Sequence, residues 1–234
     1  MVVPVGPGDS VSARLRMQLA ALPCQAQVCV VSADTVLTAS AVEFSRDGSS
    51  IDASPHERTG PHWQVLVAPQ GRASQQNAGA AVATRDWLWF VHADAALAPD
   101  TLPALARFIA TDSDALGYFD LRFLDDGPAA MRVNELGAWL RSRWFGLPFG
   151  DQGLVLPRQV FTTLGGFDPG ISSGEDHDLV WRARRAGLPL RAVGAPLYTS
   201  ARKYAQHGWG ATTVGHLRET WRQARCFSRA RTPR

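Results

Sequence analysis

Short apolar runs that end abruptly in polar residues recur through the first half of the chain. The clearest run covers residues 87–91 and stops at His92, Ala93 and Asp94. An apolar run of this length predicts a strand that is buried on both faces, as in a parallel sheet. Comparable runs predict three further strands, over residues 2–5, 28–31 and 65–67.

Helical spacing of apolar residues fills the intervals between these strands. It predicts helices over residues 10–22, 72–84 and 101–110, whereas the polar residues 40–61 predict no regular element. Strands and helices that alternate in this way predict an α/β fold with a doubly wound, mostly parallel sheet and helices on both of its faces.

The second half of the chain predicts a smaller, mixed region. Residues 115–123 alternate between apolar and polar side chains, which indicates a half-buried strand. A helix over residues 129–144 leads into an aromatic group, Trp139, Trp144 and Phe145. We expect this group to pack in the core, with a groove for a sugar or lipid acceptor as the alternative. The remaining predicted elements are a strand over 154–156, a helix over 175–186, a strand over 190–193 and a helix over 209–226.

Length and composition indicate one domain with an ample core. The chain has 234 residues, of which 45% are hydrophobic. We predict a single domain over residues 1–227 with two halves, 1–110 and 111–227, followed by a basic tail over 228–234. The net charge of +3 lacks the clustered basicity of a dedicated nucleic-acid binder, so we expect no nucleic-acid partner.

Cysteine usage predicts a cytoplasmic protein. Cys24, Cys29 and Cys226 form no CxxC pair, and an odd number argues against a disulfide framework. The chain shows no signal-peptide pattern and no apolar run of the roughly 18 residues that span a membrane. The C-terminal arginines predict either a solvated helix face, which we favour, or a peripheral contact with the anionic inner face of a membrane. They are Arg218, Arg222, Arg225, Arg229, Arg231 and Arg234.

Polar side chains follow the predicted strands at the edge where ligands bind in open α/β sheets. They comprise the Gly6–Asp9 loop, Asp34, Arg72 with Gln76, and the His92–Asp94 turn. A carboxylate at this edge, such as Asp94, can hold a divalent cation that bridges a diphosphate, because Mg²⁺ and Mn²⁺ prefer oxygen ligands. The alternative for Asp94 is that it only caps the turn or the next helix.

A second acidic cluster opens the helix predicted over 175–186. Glu175, Asp176 and Asp178 lie in its first turn, where carboxylates are stabilised by the helix N-terminus and need no further function. Ser172 and Glu175 have the spacing of a capping box. His177 lies inside the cluster, and we expect an exposed first-turn histidine rather than a metal ligand.

Several segments occur in an order that resembles family-2 glycosyltransferases of the GT-A fold. The resemblance covers nearly the whole chain and is closest to a bacterial subgroup of radical-SAM/selenodomain-associated transferases. The segments are Val3–Val5, Gly71–Gly79, Phe90–Leu97, Gly150–Gly153, Gly165–Phe167, Gly174–Arg182 and Thr199–Arg202.

This resemblance implies an inverting transfer of a sugar from a UDP-, GDP- or dTDP-sugar to an unidentified acceptor hydroxyl. Asp94 would hold Mg²⁺ or Mn²⁺ on the donor diphosphate, Asp176 would be the catalytic base, and Glu175 would orient the base or the acceptor. The implied donor contacts are Pro4, Gly6, Asp34, Arg72, Gln76, His92, Ala93 and Asp94. The implied acceptor contacts are Gly150, Asp151, Gln152 and Trp181.

The chain departs from the pattern of this family in two functional places. His92 replaces the first Asp of the family's Asp-x-Asp motif, which removes one oxygen ligand, and we favour a position for His92 outside the metal shell. The second strand ends in Ser32-Ala33-Asp34 rather than in the usual acidic pair. A non-catalytic nucleotide- or sugar-binding protein on a decayed transferase scaffold is therefore the alternative function, against which the presence of both Asp94 and Asp176 argues.

Overall fold

A parallel sheet forms the first half of the structure, which is a computed structural model that describes residues 1–34, 60–111 and 114–229. Its three strands are β1 (Val2–Val5), β2 (Gln27–Ser32) and β3 (His62–Val67), in that spatial order. Both β1 and β2 are buried along their whole length, as their unbroken apolar runs predict. Helices α1 (Ala13–Ala20) and α2 (Arg72–Val82) follow the first and third strands.

A second, mixed sheet continues from the first. Its strands are β4 (Trp87–Trp89), β5 (Ala96–Leu97), β6 (Leu116–Phe123), β7 (Val155–Pro157) and β8 (Leu190–Thr199), in the order β4-β7-β6-β8-β5. Strands β6 and β8 are parallel, whereas the other pairs are antiparallel. The Val91 N–H donates to Val2 O at 3.0 Å, and Val2 forms a parallel bridge with Phe90, so the two sheets adjoin. The predicted α/β class is confirmed.

The remaining helices cover the sheets and their edges. They are α3 (Thr101–Thr111), α4 (Met131–Phe145), α5 (Arg158–Thr163), α6 (Glu175–Arg185), α7 (Arg202–His207) and α8 (Trp209–Arg229), with a 3₁₀ turn at Gly150–Gln152. Within the described ranges, no helix is both long enough and apolar enough to cross a bilayer.

The core lies on both sides of β4 and the residue that follows it, within the apolar run 87–91. Phe90 packs against Phe161 and Phe167, with ring centroids 5.1 and 4.9 Å away. Trp89 points to the opposite side of the sheet and packs against Phe119 at 5.1 Å. Successive strand residues alternate between faces, so an unbroken apolar run serves two packed layers.

Strand β6 is more deeply buried than its alternating pattern predicts. An alternating strand over residues 115–123 would place Tyr118 on the polar face, but only 3% of its surface is exposed. Helix α4 covers that face, and the Tyr118 hydroxyl donates to Ser142 O at 3.2 Å. The predicted alternation holds only in the second half of the strand, where Arg122 is exposed and Leu121 is buried.

Core packing of the aromatic group on α4 is a prediction that proves wrong. The exposed fractions are 42% for Trp139, 76% for Trp144 and 66% for Phe145. The inward positions of α4 are taken by smaller residues, among them Ala138 and Ser142. The helix therefore presents its aromatic residues to its surroundings.

Other predicted boundaries shift by amounts that neighbouring strands explain. Strand β8 extends to Thr199 instead of ending at 193, because both β6 and β5 pair with it. Strand β3 begins at His62, three residues earlier than predicted, where it pairs with β2. Most of the predicted irregular segment 40–61, and most of the predicted tail 228–234, lie outside the described residues.

Two glycines provide a matched test of this packing. An added Cβ on Gly117 would lie 2.5 Å from Val155 Cγ1 and 2.7 Å from the Phe108 ring, whereas one on Gly137 in α4 would meet nothing within 4 Å. We expect G117A to lower the free energy of unfolding by about 1–3 kcal/mol through overpacking. We expect G137A to raise it by about 0.5–1 kcal/mol, because alanine favours the helix. Urea unfolding measures both, and a stabilising G117A would contradict the β6–β7 packing.

Candidate active site

Three chain segments that are distant in sequence converge where the polar residues were predicted to gather. They are the turn after β4 with His92, the 3₁₀ turn that begins at Gly150, and the first turn of α6 with Asp176. An added Cβ on Gly150 would lie 2.9 Å from Asp176 Oδ2 and 3.3 Å from His92 Nε2. A side chain at position 150 would crowd both of these groups, and the Gly150 N–H donates to Asp176 Oδ2.

Asp176 has the electrostatic surroundings of an ionised carboxylate. Burial opposes its ionisation, but the nearby His177 and Arg72 side chains bring the pKa of Asp176 below its usual value. The backbone N–H groups of Gly150 and His177 lower this pKa further, because they donate to the charged form. Asp176 is therefore ready to accept a proton at neutral pH.

Glu175 is the partner of Arg72 across the two halves of the chain. Glu175 is 4% exposed, and its Oε1 lies 2.7 Å from Arg72 Nε at the start of α2. The predicted capping box is wrong, because Gly174 is the N-cap of α6, with φ of +90°, and no side chain caps the helix. Glycine adopts this left-handed conformation without strain.

The acidic turn after β4 is held by backbone and hydroxyl contacts. Ala93 O accepts from the Ser12 N–H at 2.8 Å, and the Ala95 N–H donates to His92 O at 3.1 Å. Asp94 is partly exposed, and its Oδ2 accepts from Thr199 Oγ1 at 3.4 Å. This contact places the end of β8 beside the predicted metal ligand.

Asp126 orders the residues that follow Thr199. Ser200 Oγ donates to Asp126 Oδ2 at 2.6 Å, and the Ala201 N–H donates to Asp126 Oδ1 at 2.7 Å. The Asp126 carboxylate had no predicted role, since neither its spacing nor its neighbours in sequence mark it. Its two contacts appear only when the chain returns to it 74 and 75 residues later.

The remaining predicted donor residues lie at the parallel edge. The Asp9 N–H donates to Gly6 O at 3.1 Å, which closes the first loop, and Pro4 is buried in β1 opposite Val31. The Asp34 N–H donates to Ser32 Oγ at 3.0 Å in the turn after β2.

Gln76 shares helix α2 with Arg72. It is 3% exposed, and within the described part of the chain its Oε1 is buried without a hydrogen-bond partner. A buried hydrogen-bond acceptor without a partner is uncommon in native proteins and marks a place where a ligand that donates a hydrogen bond would be favoured.

Arg141 joins the predicted acceptor residues, although no motif or spacing in the sequence marks it. Its guanidinium lies 3.2 Å above the Phe149 ring and donates to Gln152 Oε1 at 3.1 Å. Burial lowers the pKa of Arg141 to about 10, so it stays charged at neutral pH. Gln152 is fully buried and donates to Phe119 O at 3.0 Å, so its amide fixes the turn.

Asp151 differs from Asp176 in its electrostatic surroundings. Its Oδ1 is buried and lacks a hydrogen-bond partner among the residues described. Burial raises the pKa of Asp151, while Arg141 and His92 act in the opposite direction. Two neighbouring carboxyls thus have pKa values that are shifted in opposite directions.

Trp181 is not brought beside Asp176. It lies five residues further along α6, and a step of five residues turns a helical side chain by about 140°. Its indole Nε1 is buried without a partner among the described residues, and Arg184 lies 4.8 Å from its ring.

His177 contradicts the prediction of an exposed first-turn histidine. It is 1% exposed and packs against Phe149, with the ring centroids 3.6 Å apart. Both of its ring nitrogens are buried, and the Gln223 side chain is the hydrogen-bonding group that acts on the ring. Burial lowers the pKa of His177 to about 4, so the ring is neutral at pH 7.

A groove of about 900 Å³ lies between the end of β6 and helix α4. Of the three aromatic residues on α4, only Trp139 lines it, together with Tyr198 next to Thr199. This volume falls in the range of small-molecule sites. The groove therefore has the size of a ligand site. Tyr198 lines it, and the next residue, Thr199, contacts Asp94.

The described residues do not supply a complete metal site by themselves. Among them, no group of three or more His, Cys, Asp or Glu side chains could hold a metal ion. Asp94 nevertheless suits a cation of the Mg²⁺ type, which takes one or two protein carboxylates and completes its shell with phosphates and water. The residues present fit a metal that arrives with a diphosphate.

The sheet, its polar edge and the acidic first turn of α6 define a GT-A type of glycosyltransferase fold. Residues 44–167 match the family described as Glycosyl transferase family 2, and this match spans more than half of the 234 residues. The chain belongs to this family. A comparison with curated proteins found no match.

Solved structures share the fold at low sequence identity. The mannosyltransferase PcManGT from Pyrobaculum calidifontis, in complex with GDP-Man and Mn²⁺, is similar with a TM-score of 0.67 and 16% identity over 99% of this chain and 64% of that one. S. aureus TarS 1-349 in complex with UDP-GlcNAc is similar with a TM-score of 0.59 and 16% identity over 86% of this chain and 58% of that one. GalNAc-T7 with UDP, GalNAc and Mn²⁺ is similar with a TM-score of 0.57 and 13% identity over 86% of this chain and 43% of that one. This chain thus spans less than two thirds of each of them.

The burial of His177 predicts a specific dependence of stability on pH. Its pKa is about 4 in the folded chain, against an ordinary value near 6.5, so the unfolded chain binds the proton more tightly. The contribution of the neutral ring to the free energy of unfolding is complete above pH 6.5 and is lost as the pH falls toward 4. The loss is roughly 3 kcal/mol, because each pKa unit of difference corresponds to 1.36 kcal/mol. We expect H177L to remove this part of the slope in urea unfolding between pH 4 and 7. Parallel slopes for H177L and the native chain would contradict a neutral buried ring.

Proposed function

We propose that this chain transfers a sugar from a nucleotide-sugar donor to an acceptor hydroxyl, with inversion at the anomeric carbon. The observation that carries this proposal is the ionised Asp176 carboxylate, which faces His92 across Gly150. A base held at the edge where strands end can act on a hydroxyl that enters next to the donor. The subgroup of radical-SAM/selenodomain-associated transferases is part of the same proposal.

The reaction is a single displacement. Asp176 accepts the proton of the acceptor hydroxyl as its oxygen forms a bond to the anomeric carbon. The bond from that carbon to the diphosphate breaks, and its electron pair leaves on the diphosphate oxygen. Attack on the face opposite the leaving group gives inversion. Glu175 does not share the proton, because its carboxylate is paired with Arg72 and holds the first turn of α6 in place.

Asp94 is the residue that we propose to hold Mg²⁺ or Mn²⁺ on the donor diphosphate. A bound divalent cation would stabilise the negative charge that develops on the leaving group. Thr199 orients the Asp94 carboxylate through its hydroxyl. His92 lies beside Gly150 and Asp176, which supports its position outside the metal shell.

Donor and acceptor contacts divide between the two halves of the site. We propose that Gln76 contacts the donor, because its buried Oε1 lacks a partner in the described chain. Asp151 has the same property on the acceptor side and, with its raised pKa, is suited to hydrogen bonding with an acceptor hydroxyl. Gln152 acts indirectly by fixing the turn. Two of the similar solved structures contain a nucleotide sugar, UDP-GlcNAc in one and GDP-Man in the other, and this supports a nucleotide sugar as the donor.

Replacement of the proposed base separates chemistry from binding. We expect D176N to slow nucleoside diphosphate release from UDP-, GDP- or dTDP-sugars, with water as the acceptor, by about 10²–10⁴-fold, the range for a general base. Donor affinity, measured by calorimetric titration, should not change. The control D100N alters an exposed acid at the start of α3, where asparagine caps a helix equally well. Full turnover by D176N would show that another group is the base.

Replacement of the proposed metal ligand should act on binding. We expect D94A to weaken the Mn²⁺-dependent affinity for the nucleotide that the native chain selects from UDP, GDP and dTDP by about 10–100-fold, as loss of metal-site interactions typically does. Affinity measured without Mn²⁺ should stay the same, because the carboxylate acts through the cation. Equal effects with and without Mn²⁺ would contradict the metal assignment. Failure of the folded native chain to bind any of the three nucleotides would contradict the transferase proposal and leave a decayed scaffold that binds a sugar as the alternative.

A further inference from the structure

Helix α8 presents an apolar stripe that no described part of the chain covers. Val214, Leu217 and Trp221 are 45%, 56% and 71% exposed. They are three and four residues apart, so they lie on one side of the helix. Gln223 is 8% exposed and marks the opposite, inward side.

Basic residues border this stripe. Arg218, Arg222 and Arg225 are exposed, and helical spacing places them directly beside the apolar residues on the outer side of α8. Glu219 accepts from Arg222 and Gln223 toward the inner side. The outer side thus combines tryptophan and aliphatic residues with positive charge.

Helix α4 carries a second stripe of the same kind. Val133, Leu136, Leu140 and Trp144 are 60%, 57%, 38% and 76% exposed and repeat at helical spacing. The two helices meet where Asn134 donates to Thr213 Oγ1 at 3.1 Å and accepts from the Trp209 indole at 2.9 Å. The stripes therefore lie on neighbouring helices.

We infer that these two stripes, together with the arginines of α8, form a surface that docks onto an anionic lipid bilayer. Tryptophan and leucine beside arginine are typical of helices that lie in the plane of a membrane interface, where the apolar side enters the acyl boundary and the cations contact phosphate headgroups. The contact that we propose lies at the surface of the bilayer.

Charge argues against a second copy of this chain as the occupant. A two-fold interface uses the same patch on both subunits, so it would set the arginines of one α8 against those of the other. Like charges across an interface cost several kcal/mol. An anionic bilayer satisfies the apolar and the basic residues together.

Flotation of the native chain with lipid vesicles tests this inference. We expect binding to vesicles of phosphatidylcholine with 30% phosphatidylglycerol, and weaker binding to phosphatidylcholine alone or at high salt. R218Q should weaken binding to the anionic vesicles about fivefold, which corresponds to about 1 kcal/mol for one basic residue near an anionic surface. W221S should weaken binding to both kinds of vesicle.

A matched control removes the same chemistry from α1. R14Q/M17S replaces an exposed arginine and the 69% exposed Met17, and it should bind vesicles like the native chain, whereas R218Q/W221S should not. Equal binding by both double variants would overturn the inference. So would absence of binding by the native chain, or a dimer in light scattering that W221S dissociates.

Discussion

The ion pair between Arg72 and Glu175 is the contact on which the geometry of the site depends. It joins the first residue of α2, which packs on the parallel strands, to the first residue of α6, which belongs to the other half of the chain. Glu175 is almost fully buried, so its charge would be costly without a partner. The next residue is Asp176, and the pair therefore fixes the turn that carries the proposed base. Asn77 adds a second link between the halves, because it donates to Phe167 O at 2.7 Å and accepts from the Phe167 N–H at 2.9 Å.

Within this frame, the backbone distinguishes two carboxyls that are close in space. Asp176 receives N–H groups and stays ionised, whereas Asp151 loses hydration without an equivalent gain, and its pKa rises. Opposed shifts in neighbouring carboxyls are a common basis for different roles in one site. Gly150 is central to this difference, because its N–H donates to Asp176 and its lack of a side chain leaves room for His92 beside it.

The sequence was sufficient for most of the strands and helices, but β5 and α7 correspond to no predicted element. Apolar runs and helical spacing report which residues avoid water, and β1, β2 and β4 follow directly from them. The wrong predictions of burial have one physical cause, because the periodicity of a helix or strand identifies its apolar face but not the element that covers it. Tyr118 is buried because α4 happens to lie over it, whereas Trp144 is exposed because nothing described covers the outer side of α4. His177 and Arg141 both pack against Phe149, and only the folded 3₁₀ turn brings that ring to them, so no local pattern marks either of them.

The last helix contacts the first turn of α6, which carries the proposed base, through the amide of Gln223. Gln223 donates to Ser173 O at 3.2 Å, and a Cβ on Gly174 would lie 2.5 Å from its side chain. The inner side of α8 thus rests on the N-cap of α6, one residue before Glu175 and two before Asp176. Any displacement of α8 must either move this cap or break the Gln223 contact, since packed protein interiors do not absorb such shifts gradually. The position of the proposed base and the orientation of the apolar, basic surface therefore both depend on this helix.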